Sequence, residues 1–126
     1  MITSLDLLSP SFRIKAFELL ARCTEAGVPV MIINTYRTAE EQAANIAKGV
    51  SWTKNSKHLT GNAIDICPFE IYNLHGADKM QWDGNDPVWQ TLGKIGEALG
   101  LRWGGRWTQK DYGHFERVDF SEFKIT

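Results

Sequence analysis

The sequence predicts a single α+β domain, a small antiparallel sheet flanked by helices, over residues 1–126. Two observations carry this. Three segments combine helical apolar spacing with caps and stops, and short β-rich runs lie between and after them in an order that suits antiparallel pairing. The size agrees: 126 residues can bury one hydrophobic core without disulfides or oligomerisation.

The first helix starts at Ser9 or Ser11 as cap, with Pro10 in the first turn, and Phe12, Ile14, Phe17, Leu20 and Ala21 recur near helical spacing. Gly27 stops it. Val28 to Tyr36 is a continuous apolar run, the pattern of a central strand. Thr38 with Glu41 forms a capping box for a second helix through Ala47, which Gly49 ends. Residues Val50 to Gly61 read as irregular loop. In the short strand from Asn62 to Cys67, period two puts Ile64 and Ile66 on a core face and Ala63, Asp65 and Cys67 on the other. A second loop spans Asn73 to Gly84. Asp86 and Pro87 open a third helix with Val88, Leu92, Ile95 and Leu99 as its stripe and Gly100 as its stop. Leu101 to Trp103 is a brief strand, Gly104 and Gly105 a turn, and His114 to Asp119 a last strand.

Composition narrows the function classes. Apolar residues make up 43% and charged residues 23%, ordinary for a globular protein. Fourteen basic against fifteen acidic residues leave a net charge of −1, without the basic excess that nucleic-acid binding needs. Cys23 and Cys67 make no disulfide framework and read as buried thiols. No stretch approaches the roughly 20 apolar residues of a membrane span, and the N-terminus lacks the pattern of a signal peptide. The expectation is therefore a chain without stable membrane association, held in the cytoplasm of the producing cell until something releases it, with a monomer as the default state.

Two of the three histidines sit in unusual company. Ser56-Lys-His-Leu-Thr-Gly-Asn-Ala-Ile-Asp65 places a histidine in a loop and an aspartate seven residues on, in a strand. The loop can fold back so that both meet one ion, with His114 of Asp111-Tyr-Gly-His-Phe-Glu116 as third ligand. Two imidazoles and a carboxylate leave a fourth position for water, the ligand set of a catalytic zinc. Spacing alone signals this weakly. Asp65 strengthens it, because an acidic group between two isoleucines of an apolar strand needs a partner.

The stretch SKHLTGNAIDI resembles the S-x-H-x-x-G-x-A-x-D signature of the D-alanyl-D-alanine peptidase family; DYGHFE resembles its distal motif and NTYRTAEEQ its upstream Tyr-Arg segment. All three stand in the right order over about 80 residues. The resemblance implies a fold of the Hedgehog and D,D-peptidase kind, a Zn²⁺ ion on His58, Asp65 and His114, and hydrolysis of peptidoglycan stem peptides. Within the family, the compact length and aspartate at position 111 are most similar to the L-alanyl-D-glutamate endopeptidases that phages use as lysins. The family pattern further implies Asp111 as catalytic base, Arg37 on the developing oxyanion or a substrate carboxylate, and Ser56 on the substrate backbone; Glu116, on the face of His114 by period two of the strand, is the competing base or a partner of His114. It also implies a bare catalytic domain without a wall-binding module. A D,D-carboxypeptidase or dipeptidase of the same fold, a non-catalytic zinc-holding module, and a structural protein without metal are the alternatives. His75 reads as a solvated loop residue and Cys67 as a buried one rather than a rival ligand; Trp52 and Trp107, near the motifs, are candidates for lining a peptide groove.

Overall fold

The computed structural model describes residues 2–49, 56–70 and 79–118. Among them the elements run α1 (Pro10–Glu25), β1 (Val30–Asn34), α2 (Ala39–Ala47), β2 (Ala63–Glu70), β3 (Lys79–Met80), α3 (Pro87–Ala98), β4 (Arg102–Trp103) and β5 (His114–Glu116), with three short 3₁₀ turns at Leu5–Leu7, Lys57–Thr60 and Gly104–Arg106. The strands form an antiparallel sheet in the order β1-β2-β5-β4, and β3 pairs with the far end of β2. The α+β expectation holds. No helix among the described residues is long and apolar enough to cross a membrane.

The helix ends follow the cap chemistry. In α2 the Thr38 hydroxyl accepts from the Glu41 amide while the Glu41 carboxylate accepts from the Thr38 amide, the reciprocal box the sequence predicts. In α3 the Asp86 carboxylate accepts from the Val88 amide, with Pro87 in the first turn. Ser9, not Ser11, precedes α1, and its hydroxyl is turned to Asn62 instead of to the helix.

Which helix faces are buried departs from the apolar count. In α1 the enclosed residues are Phe12, Ala16, Leu19 and Cys23, a straight stripe, whereas Ile14 and Phe17 are 62% and 52% exposed. Small Ala16 and Cys23 leave room for close packing on the core, so residue size misleads where position decides. In α3 the buried face is Trp89, Leu92, Gly93 and Gly96, with Val88 and Ile95 only partly covered. A Cβ on Gly93 would lie 2.4 Å from the Trp103 indole, and one on Gly96 would lie 2.3 Å from the Phe115 ring. These glycines are packing surfaces for two large aromatic residues.

The sheet brings further corrections. β1, predicted to be central, is an edge strand with Met31 41% exposed. Its continuous apolarity is met because Val30, Ile32 and Ile33 pack partly against the core from the rim. The predicted Asn73–Gly84 loop contains β3, paired with Phe69 and Glu70. β5 ends at Glu116, short of the predicted Asp119, which lies outside the described residues. On β2, Ile64 and Ile66 are fully buried as expected, but so are Ala63 and Cys67 on the opposite face; Asp65 is the member of that face that stays partly open.

Candidate metal centre

Local geometry brings each polar side chain to the C-terminal end of β1 and the facing parts of β2 and β5. The register between β1 and β2 shifts between Ile32 and Asn34, so the chain bulges just before the site. After that bulge comes Thr35, fully buried, whose carbonyl oxygen lies 2.6 Å from His58 Nδ1. His58 itself sits on the 3₁₀ turn Lys57–Thr60 within the predicted irregular loop. The Ser56 hydroxyl accepts from the His58 amide, and Gly61, at φ +71°, closes the turn with its amide on the His58 carbonyl. A left-handed backbone here favours glycine. Asp65 and His114 are directly paired across β2 and β5.

The three predicted ligands converge. One ligand atom from each of His58, Asp65 and His114 lies within 4.8 Å of the others. His58 Nε2 is 3.2 Å from Asp65 Oδ2, and His114 Nδ1 is 3.0 Å from Asp65 Oδ1. The imidazole rings meet edge to face, 5.2 Å between centroids.

The hydrogen bonds on the outer ring nitrogens decide which nitrogens face inward. Thr35 O can only accept, so His58 Nδ1 carries a proton and Nε2 turns a lone pair to the centre. Glu116 Oε1 lies 2.8 Å from His114 Nε2, which donates to it, leaving Nδ1 toward Asp65. His58 Nε2 is buried and makes no hydrogen bond. A buried acceptor without a donor is costly, and a cation among two inward nitrogens and a carboxylate removes that cost. Two imidazoles and one carboxylate fit a zinc ion with an open position.

The electrostatics match a site that holds positive charge. Burial acts to raise the Asp65 carboxyl, but the His114 and His58 rings, 3.0 and 3.2 Å from its oxygens, outweigh it and hold the group well below the usual carboxylate range. Burial acts to lower His114, yet the hydrogen bonds to Asp65 and Glu116 push it up to about 10. Both ring nitrogens of His114 face carboxylates, an arrangement that favours the imidazolium, whose Nδ1 proton stands where a cation would bind. For Glu116, burial is again overcome, by His114 first and then by Lys57 and Arg102, so its carboxyl stays low.

Around the three ligands stand the other predicted residues. Asp111 Oδ2 lies 3.9 Å from His114 Nδ1, on a half-exposed side chain. Burial of its carboxyl, then the charge of Asp65, raises its pKa. Arg37 Nη2 is 4.0 Å from Asp65 Oδ2, and Arg37 Nη1 donates to Gln42 Oε1 at 2.7 Å. Glu116 has Oε1 on His114 and Oε2 facing Lys57 and Arg102, so both its oxygens are engaged. Trp107 is half-buried, its ring centroid 5.0 Å from that of His114, while Trp52 and His75 lie outside the described residues. Cys67 is not among the three; its thiol faces the Pro68 and Gln81 carbonyls. Sequence reasoning missed Thr35 and Gln42. Thr35 acts through its backbone oxygen, which leaves no side-chain signal, but a glutamine in the helix five residues after Arg37 was a readable one.

A family model described as D-alanyl-D-alanine carboxypeptidase matches residues 48–117. An L-alanyl-D-glutamate peptidase of Listeria phage A118 is 30% identical over 109 residues, covering 85% of this chain and 36% of the relative. An L-alanyl-D-glutamate peptidase of Escherichia phage T5 is 34% identical over 93 residues, 68% of this chain and 64% of the relative. The chain thus spans about a third of one curated relative and just under two thirds of the other. Among solved structures, the Serratia marcescens L-Ala D-Glu endopeptidase ChiX superposes with a TM-score of 0.67 at 26% identity, over 90% of this chain and 83% of that one. A vancomycin-resistance D,D-pentapeptidase, VanY, in complex with Zn(II), shares the fold with a TM-score of 0.57 at 20% identity, over 90% and 74%.

Proposed function

The chain belongs to the D-alanyl-D-alanine carboxypeptidase family, and on that premise we propose that it is a zinc-dependent peptidoglycan hydrolase cleaving the L-alanyl-D-glutamate bond of the stem peptide. The observation that carries this reading is the convergence of His58, Asp65 and His114 within 4.8 Å, with Asp111 3.9 Å from His114. Both phage relatives are named for that bond.

His58 Nε2, His114 Nδ1 and the Asp65 carboxylate would hold the zinc. When bound, the ion supplies Lewis-acid chemistry, polarising a scissile carbonyl and acidifying water. Asp111 is assigned the proton traffic. It takes a proton from the attacking water as the oxygen adds to the carbonyl carbon, and returns one to the nitrogen as the C–N bond breaks. Its half-exposed position at the edge of the cluster gives it access to both, and its raised pKa moves it toward the range where a carboxyl can accept and release a proton. Arg37, held by Gln42, presents a planar cation beside Asp65 and is assigned the oxyanion or a substrate carboxylate. Ser56, whose hydroxyl caps the His58 turn, is assigned the substrate backbone, and half-buried Trp107 forms an apolar wall beside His114.

Digestion of purified cell wall followed by mass spectrometry of the products tests the assignment. New N-terminal D-glutamate supports it. Released D-alanine points instead to D,D-carboxypeptidase or dipeptidase action on the same scaffold, and no new termini at all indicates a zinc-holding module without turnover.

A further inference from the structure

The two imidazoles come from elements far apart in the chain, one on a four-residue turn and the other on a three-residue strand. Such short elements do not align two rings by themselves. One buried carboxylate contacts the ring of one histidine and the residue next to the other. Glu116, 7% exposed, receives His114 Nε2–H on Oε1 at 2.8 Å, and its Oε2 lies 3.4 Å from Lys57 Nζ and 3.3 Å from Arg102 Nη1. Lys57 is the residue immediately before His58, and its ammonium also donates to the Arg117 carbonyl at 2.6 Å, just past β5. Lys57 thus ties the His58 turn to the His114 strand at two points, and Glu116 sits where that tie meets the ring of His114.

From this arrangement we propose that Glu116 and Lys57 are positioning residues that assemble the two histidine ligands before metal arrives and so set the zinc affinity. The inference rests on the reading of the cluster as a zinc site. Glu116 fixes which His114 nitrogen is protonated and the plane of the ring; Lys57 keeps the turn carrying His58 in register with it. Neither touches the reacting atoms, because Glu116 lies on the nitrogen of His114 that faces away from Asp65. A carboxylate in this position around a zinc histidine typically governs 10–100-fold in metal affinity.

The test is the zinc dissociation constant of the full chain, measured by competition with a chromophoric chelator, for wild type, Glu116→Ala, Glu116→Gln, Lys57→Met and the Lys57→Met, Glu116→Ala double variant. Alongside it, ¹⁵N NMR of the zinc-loaded protein reads the His114 Nε2–H resonance. Glu116→Ala should weaken zinc about 10–100-fold and lose the protected Nε2–H signal. Glu116→Gln, whose amide oxygen still accepts that hydrogen bond, should keep the signal and lose less affinity. Lys57→Met should weaken zinc about threefold or more with the His114 signal retained, and the two losses should combine to less than their product in the double variant, because one of the two Lys57 ties runs through Glu116. Affinity in Glu116→Ala within twofold of wild type, or losses that simply multiply in the double variant, would overturn the inference. If Glu116→Ala does not fold, Lys57→Met decides, and wild-type affinity there overturns it. A wild-type chain that binds no zinc defeats the zinc reading and this inference together; a wild-type chain that binds zinc and cuts wall, with the alanine variant binding equally well, defeats this inference alone.

Discussion

Zinc binding should displace a proton from His114, and the size of that effect can be worked from the site. In the metal-free chain the His114 ring donates to Asp65 through Nδ1 and to Glu116 through Nε2, which lifts its pKa to about 10. Nδ1 cannot ligate while it carries a proton. At pH 7 the deprotonation costs about 4 kcal/mol, from three pH units at 1.36 kcal/mol each, or about a thousandfold in apparent affinity. The sign follows directly. A raised pKa means the proton is present at neutral pH, so each unit of rising pH should tighten zinc about tenfold until pH approaches 10. Isothermal titration calorimetry in two buffers of different ionisation enthalpy should report at least one proton released per zinc at pH 7. Chelator competition between pH 6.5 and 8.5, corrected for protonation of the chelator, should give the tenfold slope. A flat affinity with no proton released would refute the imidazolium state of His114 in the metal-free chain.

Other perturbations separate chemistry from scaffold. Asp111→Asn should reduce wall hydrolysis about 10²–10⁴-fold while zinc affinity stays within a few-fold, because Asp111 stands beside the ligands without being one; equal hydrolysis would remove it as the base. Gly61→Ala places a Cβ 2.8 Å from backbone atoms of Leu7 and Ser9 at φ +71°, so chemical denaturation should show a loss of about 2–4 kcal/mol from left-handed strain and overpacking. Leu19→Ala, at a fully buried position, should cost about 2–5 kcal/mol, whereas Phe17→Ser on the exposed side of α1 should change stability by only about 0.5 kcal/mol. The reverse order would mean that the register of α1 is wrong.

What could be read from the sequence was mostly what short-range chemistry fixes. The Thr38–Glu41 box, Asp86 with Pro87, and glycines at positive φ such as Gly27, Gly49 and Gly100 act within a few residues and fall where predicted. The cluster of His58, Asp65 and His114 was legible because Asp65 had no business in an apolar strand without a partner, and period two placed Glu116 on the face of His114, where the structure joins them. Long-range choices were not legible. Nothing local says that Ala16 and Cys23 rather than Ile14 and Phe17 face inward, because that depends on how closely α1 packs against its neighbours. Gly93 and Gly96 look like helix weaknesses until Trp103 and Phe115 are seen resting on them. The edge position of β1 depends on pairing partners 30 or more residues away, such as Cys67 opposite Met31. The inward nitrogen of His58 is set by a backbone carbonyl, which any residue at position 35 would also supply.

An anomalous difference map at the zinc absorption edge, from crystals of the zinc-loaded chain, tests the central claim most directly. A single peak about 2.0–2.2 Å from His58 Nε2, His114 Nδ1 and an Asp65 carboxylate oxygen, with no fourth protein ligand, is the predicted result. A peak bound elsewhere, or density at this site with the His58 and His114 rings turned away from it, would contradict the account.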